Sequence, residues 1–344
     1  MNSRSINVSV GVIRDKDQKI LISKRRQGVR HQGLWEFPGG KAKQNENPLE
    51  TLKRELFEEL DIQTVNAFLM TELVEKVGNL TINFTLFNVF SWKRKAISKE
   101  KQQIEWVSEN QLHKYKFPKI NNIFCKFIRT PPLILVTDQM NEPEKFFNEL
   151  ETFENSGVDI VQLRPKIADA FRLDLFKSKI HQIANSLDLK LMLNGSVASF
   201  DSKVYAGLHL PFCEAAKLHS RPISNESLLS TSCHSIEEVK HAELIDVDFF
   251  YLSPIKKTAT HPSAEPMGWY KANELRQLTS FPVYALGGMT VDELHTAKSL
   301  GFRGIAIKGN LWNAPNKEKI FKKIKANIRD TNLLAENVLK EKGA

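Results

Sequence analysis

The chain has 344 residues, more than one hydrophobic core normally organises, so two domains are expected, with a single large barrel as the alternative. Hydrophobic residues at 41% and charged residues at 26% exclude a disordered chain. No apolar run approaches the roughly 20 residues that span a bilayer, which points to a cytoplasmic protein without a membrane partner.

The three cysteines, Cys125, Cys213 and Cys233, are odd in number and lack CxxC spacing, which fits neither a disulfide framework nor a zinc site. Residues 1–130 hold 23 Lys and Arg against 14 Asp and Glu, the whole of the +9 formal charge. Such a field attracts phosphorylated ligands, although a solvated basic surface gives the same count.

In chain order, Ile6, Val8, Val10 and Val12 alternate as a half-buried strand does; Asp15 to Gln18 makes a turn before Ile20 to Ile22, a hairpin-like opening. Asn47 as cap, Pro48 at the first position and Glu50 as the capping-box carboxylate predict a helix over 48–60. Strands are expected at Leu80 to Phe90 and Glu105 to Val107. Thr130-Pro131-Pro132 disfavours helix and suits a connector. Beyond it, short apolar strands alternate with helical stretches: Leu133 to Val136, Ile160 to Leu163, Lys190 to Leu193, Gly207 to Leu210, Leu228 to Cys233, Phe249 to Leu252, Pro282 to Leu286 and Gly304 to Ile307. Eight such strands in about 200 residues fit a (β/α)8 barrel better than an open sheet. The expected domains are 1–129, 130–328 and a helical tail over 329–344.

On the first helix Leu49, Leu52, Leu56 and Leu60 share one stripe, while Glu55, Glu58 and Glu59 recur at i, i+3 and i+4 on another. Like charges so crowded destabilise a helix, and a hard divalent cation is the natural compensation. Three glutamates alone are more often a solvated face. Gly40, Glu46, Arg54, Glu55, Glu58 and Glu59 at fixed spacing are another matter: at about 5% usage each, the chance of a match is on the order of 10⁻⁸ per window.

This spacing resembles the Nudix box, G-x5-E-x7-R-E-U-x-E-E-x-G-U with U apolar, with Asp61 in place of the last glycine. Asp can take the left-handed geometry at some cost, so a changed helix exit is expected rather than lost chemistry. The resemblance implies an α/β/α Nudix sandwich ahead of the TIM barrel, with Glu55, Glu58, Glu59 and the Gly39 carbonyl holding magnesium, or manganese in its place. It extends over residues 5 to 125 to the MutT-type 8-oxo-dGTP diphosphatases, on Leu34-Trp35-Glu36-Phe37-Pro38-Gly39-Gly40-Lys41, on Lys99-Glu100-Lys101-Gln102, and on Phe117-Pro118-Lys119-Ile120-Asn121. By that resemblance Glu100 adds a carboxylate to the metals. Arg25, Arg30, Glu36, Phe37, Pro38, Gly39, Asn79 and Asn121 surround the nucleotide, Asn121 reading the purine with an amide that donates and accepts. Asn79 stands where the family usually has an aspartate, and Lys43 where a box residue is acidic. The implied reaction is hydrolysis of a nucleoside triphosphate to monophosphate and pyrophosphate, with Glu55 or Glu100 as base.

Residues 132 to about 325 resemble the thiamin phosphate synthase and TenI barrels, on Gln162-Leu163-Arg164-Pro165-Lys166, Gly207-Leu208-His209-Leu210, Ser232-Cys233-His234-Ser235 and Ala285-Leu286-Gly287-Gly288-Met289. Arg164, Lys166, His234, Gly287 and Gly288 are this domain's candidate residues for a phosphorylated small ligand; Gly287-Gly288 and the turn after Ile307 suit backbone phosphate binding, helped by Lys256, Thr258 and Thr260, although glycines in tight turns give the same pattern. His234 resembles the proton shuttle of TenI-like tautomerases. The synthase's two magnesium aspartates are replaced by Asn194-Gly195 and Pro211-Phe212-Cys213. Three alternatives stand beside the hydrolase reading. They are a different pyrophosphate substrate (a sugar nucleotide or a thiamin-pathway compound), a nucleic-acid module without catalysis, and a barrel without chemistry. Stable DNA binding is not expected of a chain that keeps every box glutamate.

Overall fold

The structure, a computed structural model, describes residues 4–139, 143–164, 170–258, 265–312 and 314–328. Pro165, Lys166, Thr260 and the expected tail over 329–344 lie outside them. The chain divides into two compact units, one ending at Arg129 and the next beginning at Thr130.

In the first unit, β1 (Arg4–Ile13), β2 (Ile20–Lys24), β3 (Trp35–Glu36), β4 (Gly39–Lys41), α1 (Pro48–Leu60), β5 (Gln63–Val77), β6 (Leu80–Lys93), β7 (Ile104–Val107) and α2 (Lys119–Arg129) follow in order. They build two sheets, β4-β1-β6-β5 and β3-β2-β7. β1 runs parallel to β6 from Arg4 opposite Leu80 to Ile13 opposite Val89. The hairpin expected at the start divides between the sheets: β1 and β2 meet only at an Arg14–Ile20 bridge, because each finds its ladder partners farther along the chain. Neither β5 nor α2 was expected. β5 is half exposed and bulged at three places, so its sequence shows no clean alternation.

α1 starts as its capping signals require: the Asn47 side chain accepts from Glu50 N at 2.9 Å and the Glu50 carboxylate accepts from Asn47 N at 3.0 Å. Leu52, Leu56 and Leu60 bury against Ile13, Phe87 and Val89 of the larger sheet, fixing the opposite, glutamate-bearing face outward. Gly11 leaves the space into which Leu52 and Leu56 pack.

The second unit closes eight parallel strands, β8 (Leu133–Gln139), β9 (Ile160–Arg164), β10 (Lys190–Asn194), β11 (Gly207–Leu210), β12 (Leu228–Cys233), β13 (Phe249–Leu252), β14 (Val283–Leu286) and β15 (Gly304–Ile307), in sequence order. Around them run α3 (Pro143–Glu151), α4 (Ala170–Leu187), α5 (Phe212–Ala215), α6 (Ile236–Leu244), α7 (Gly268–Gln277), α8 (Glu293–Ser299) and α9 (Gly309–Trp312), with a further helix over 317–328. Ile134, Ile160, Met192, Leu228, Phe249 and Tyr284 fill the interior. The connector, whose prolines offer acceptors but no donors, is built into the barrel. Arg303 donates to Thr130 O, Tyr284 to Pro131 O and Ile305 N to Pro132 O.

Leu56→Ala removes a fully buried side chain from the α1 interface. The expected loss is about 2–5 kcal/mol, read by denaturant unfolding of the full chain.

Candidate active site

The glycines before α1 bring backbone and carboxylates together. Gly39 has φ 147°, and a Cβ there would penetrate the Ser9 carbonyl oxygen of β1; a Cβ on Gly40 would penetrate the Glu55 carboxylate. From the helix, Arg54 reaches Glu46 Oε1 at 2.5 Å, Glu55 Oε1 at 2.8 Å, Glu58 Oε2 at 3.0 Å and the Lys41 carbonyl at 3.0 Å. Those bonds hold the Glu46 carboxyl down to about 2. Lys43, first, and Arg54 lower that of Glu58.

Glu59 is different. Burial, then the charges of Glu55, Glu100 and Glu36, push its carboxyl up to about 8 against one opposing hydrogen bond from Gly39. A half-buried Glu59 pressed by the charges of Glu55, Glu100 and Glu36 in an oxygen-only cluster suits a hard divalent cation, so the residues present fit magnesium. Their side chains are not gathered as one ligand set. Among the described residues no three His, Cys, Asp or Glu side chains stand ready to hold a metal, because Glu55 and Glu58 are turned to Arg54, Glu58 also to Lys43, and Glu100 to Arg26 at 2.6 Å.

Asp61 ends α1 in left-handed geometry (φ 58°, ψ 19°), as its box position requires. Lys99, first, and Arg94 hold its carboxyl below the usual range.

The residues ahead of the glycine turn join a cluster of aromatic rings, in which Phe37, Phe117 and Phe124 are buried. Phe37 stacks on Phe117 at 5.4 Å, and Phe124 meets Phe37 at 6.4 Å and Phe84 at 5.8 Å. Half-buried Ile6 and Val8 of β1 share a sheet face with Ile82 and Phe84 of β6 and, beyond them on β5, Leu73 and Glu75. Phe117, Phe124 and Glu75 were not anticipated. The pairing register that brings Glu75 to this face depends on β5, which the pattern did not reveal.

Asn121 is buried at the start of α2, and its Oδ1 accepts the Phe37 N–H at 3.1 Å. One lone pair expected to face the base is therefore engaged by the protein, while the amide NH2 stays available. Arg25 pairs with Glu36 and donates to the Arg30 carbonyl at 2.7 Å, bracing the loop that leads to β3. Burial raises the Glu36 carboxyl despite Arg25. Arg30 and Lys41 are exposed, Pro38 is buried with its carbonyl accepting Gly11 N, and Asn79 is exposed in the two-residue turn between β5 and β6.

At the C-terminal mouth of the barrel, Arg164 N donates to Thr137 Oγ1 at 3.2 Å, and Lys256 pairs with Glu293 at 2.5 Å. His234 Nδ1 bonds the Ser253 carbonyl, which leaves Nε2 as a lone-pair nitrogen, and Glu238 accepts the His234 N–H at 2.6 Å. Gly287 and Gly288, at φ 100° and 68°, let the chain pack on Pro254 and Lys256, where a Cβ on either would clash. Just below, Tyr251 donates to Gln162 at 2.7 Å and His209 bonds Ser230 at 2.9 Å and Ser232 at 3.3 Å. The barrel carries no carboxylate at Asn194-Gly195 or Pro211–Cys213, so its donors do not fit magnesium pyrophosphate.

A carboxylate-bearing helix behind a glycine turn defines a hydrolase-type unit, followed along the chain by a closed (β/α)8 barrel. Residues 9–126 match the NUDIX domain family and residues 133–311 the thiamine monophosphate synthase family. The chain is 33% identical over 121 residues to the 8-oxo-dGTP diphosphatase of Haemophilus influenzae, spanning 35% of this chain and 89% of that one. To its namesake in Buchnera aphidicola it is 36% identical over 116 residues, 34% and 87% of the two chains. It is 26% identical over 199 residues to the thiamine-phosphate synthase of Methanobrevibacter smithii, 56% and 95% of the two chains. The chain belongs to the Nudix family through its first unit and to the thiamine monophosphate synthase family through its second.

Burial, and secondarily Arg164, pushes His209 down to about 3. A folded pKa depressed below the ordinary 6.5 means that the unfolded chain alone takes this proton as pH falls, so the stability of the barrel is intact above 6.5 and declines below it. Between pH 6 and 5 the decline from this one group approaches about 1.4 kcal/mol per pH unit. Urea unfolding at several pH values should show that slope shrinking by up to one proton in His209→Asn.

Proposed function

We propose that the first unit hydrolyses 8-oxo-dGTP and related nucleoside triphosphates to the monophosphate and pyrophosphate, removing oxidised nucleotide before it is copied into DNA. The observation that carries this reading is the complete box carboxylate set on α1, with Asn121 bonded to the backbone of Phe37 just ahead of the glycine turn. The names of the relatives at 33–36% identity support the substrate.

Glu55, Glu58, Glu59, Glu100 and the Gly39 carbonyl would hold magnesium, with manganese as a substitute. When bound, it neutralises phosphate charge and makes water a better nucleophile. The chain's own groups do the remaining tasks. Arg54 keeps Glu46 and Glu58 ionised and holds Glu55 in register with them. Phe37 and Phe117, stacked on each other, brace Asn121, whose NH2 donates to a base carbonyl while its oxygen, held by Phe37 N, keeps a second lone pair for a base N–H. Glu55 or Glu100 accepts the proton of the attacking water as the bond to pyrophosphate breaks.

A second reading concerns the barrel. The lone-pair Nε2 of His234 favours proton transfer on a small ligand, in the manner of a thiazole tautomerase, and the absence of carboxylates at Asn194-Gly195 and Pro211–Cys213 disfavours magnesium-dependent synthesis.

Steady-state hydrolysis of 8-oxo-dGTP against dGTP with magnesium tests the first reading. A strong preference for the oxidised nucleotide is expected, narrowed roughly tenfold to a hundredfold in Asn121→Ala. Glu58→Gln should lower kcat on the order of a hundredfold. No turnover of either nucleotide would move the assignment to another pyrophosphate or to a binding role.

A further inference from the structure

The residue that departs from the Nudix box is also the residue that holds the neighbouring loop. Asp61 occupies the left-handed position at the end of α1, and its N–H still reaches the Leu56 and Phe57 carbonyls, so the helix ends as a glycine would end it. What glycine would not supply is the carboxylate. Asp61 Oδ1 lies 2.7 Å from Arg94 Nη1 and 2.7 Å from Lys99 Nζ.

One turn earlier on the same face, Phe57 is 45% exposed, and both cations stand over its ring, Lys99 at 4.2 Å and Arg94 at 5.6 Å. Lys99 Nζ also donates to the Phe57 carbonyl at 3.0 Å. The loop backbone is tied down as well, with Ile97 N on Leu60 O at 3.0 Å and Lys99 N on Glu59 O at 2.9 Å. The next residue is Glu100, and Lys101 then turns the chain at φ 61°. The carboxylate of Glu100 thus leaves the loop one residue after the anchor, beside the residue whose carbonyl receives the anchor's N–H. On its far side it meets Arg26 and Gln102.

We propose that Asp61 is a positioning residue for hydrolysis: with Phe57 it clamps Arg94 and Lys99, and the clamp sets where Glu100 presents its carboxylate to the α1 glutamates. The clamp rests on the reading above that Glu100 belongs to the catalytic set. A glycine here restores the family pattern and keeps the helix exit, but it frees the loop.

The test uses the full chain with 8-oxo-dGTP as probe. Asp61→Gly should leave the thermal transition unchanged, lower kcat roughly tenfold, raise the magnesium concentration for half-maximal rate, and leave the nucleotide KM where it was. Asp61→Asn, which keeps the shape and loses the charge, should fall with it. In a Glu100→Gln background Asp61→Gly should change the rate by less than about twofold, because both act through one carboxylate. Wild-type rates in Asp61→Gly, or a full additional loss in the Glu100→Gln background, would overturn the clamp. If the unaltered protein hydrolyses no nucleoside triphosphate, the site reading fails by itself, and amide exchange decides the clamp. Faster exchange at Ile97 and Lys99 in Asp61→Gly upholds it, and unchanged exchange there overturns it.

Discussion

Three glutamates within five residues of one helix face repel one another, and the first unit is arranged around that repulsion. Arg54 answers part of it by taking bonds to Glu46, Glu55 and Glu58 together, a geometry available to a forked guanidinium and not to a lysine. Gly40 lets the Glu55 carboxylate lie against the backbone with no Cβ between them. What remains unanswered is concentrated on Glu59, half-buried and facing Glu55, Glu100 and Glu36, where the cost appears as a carboxyl reluctant to ionise. The leucine stripe on the other side of α1 makes this tolerable, because its burial anchors the helix regardless of how the charges settle.

The barrel is organised by a different constraint, the filling of a closed interior. Its lower part is apolar, with Ile134, Ile160, Met192, Leu228 and Phe249, whereas the upper part holds paired polar groups, Tyr251 on Gln162 and His209 between Ser230 and Ser232. These side chains are paired with one another, which keeps the desolvation penalty small and fixes them beneath the mouth. Where relatives of this family would place carboxylates, the mouth offers Asn194, Pro211 and Cys213. Among the described residues the mouth also carries Arg164, Lys256 and His234.

Much of the site was legible because its chemistry depends on spacing within one element. Gly40, Glu46, Arg54, Glu55, Glu58 and Glu59 fall within 20 residues, the helix carries its own capping signals, and its observed bounds, Pro48–Leu60, are those the capping box and leucine stripe imply. The barrel strands were legible for a similar reason: each is a short apolar run buried on both faces, and four of them, Gly207–Leu210, Leu228–Cys233, Phe249–Leu252 and Gly304–Ile307, begin and end where the apolar runs do. β5 was not, since a half-exposed, bulged strand has no fixed period.

By itself the sequence determined everything that a local pattern can carry: the charged helix and its cap, the glycine approach, the eight-strand rhythm and the missing carboxylates of the barrel. Only the tertiary structure decided how distant groups share their bonds. It spends Arg25 on Glu36 and one lone pair of Asn121 on the Phe37 N–H, sends β1 and β2 to different sheets, and turns Asp61 from a poor substitute for glycine into the anchor of the Glu100 loop. The physical reason is that a hydrogen bond or an ion pair is a property of two groups at a distance, and the chain between Asp61 and Lys99, 38 residues apart in the sequence, encodes neither until both sheets have formed.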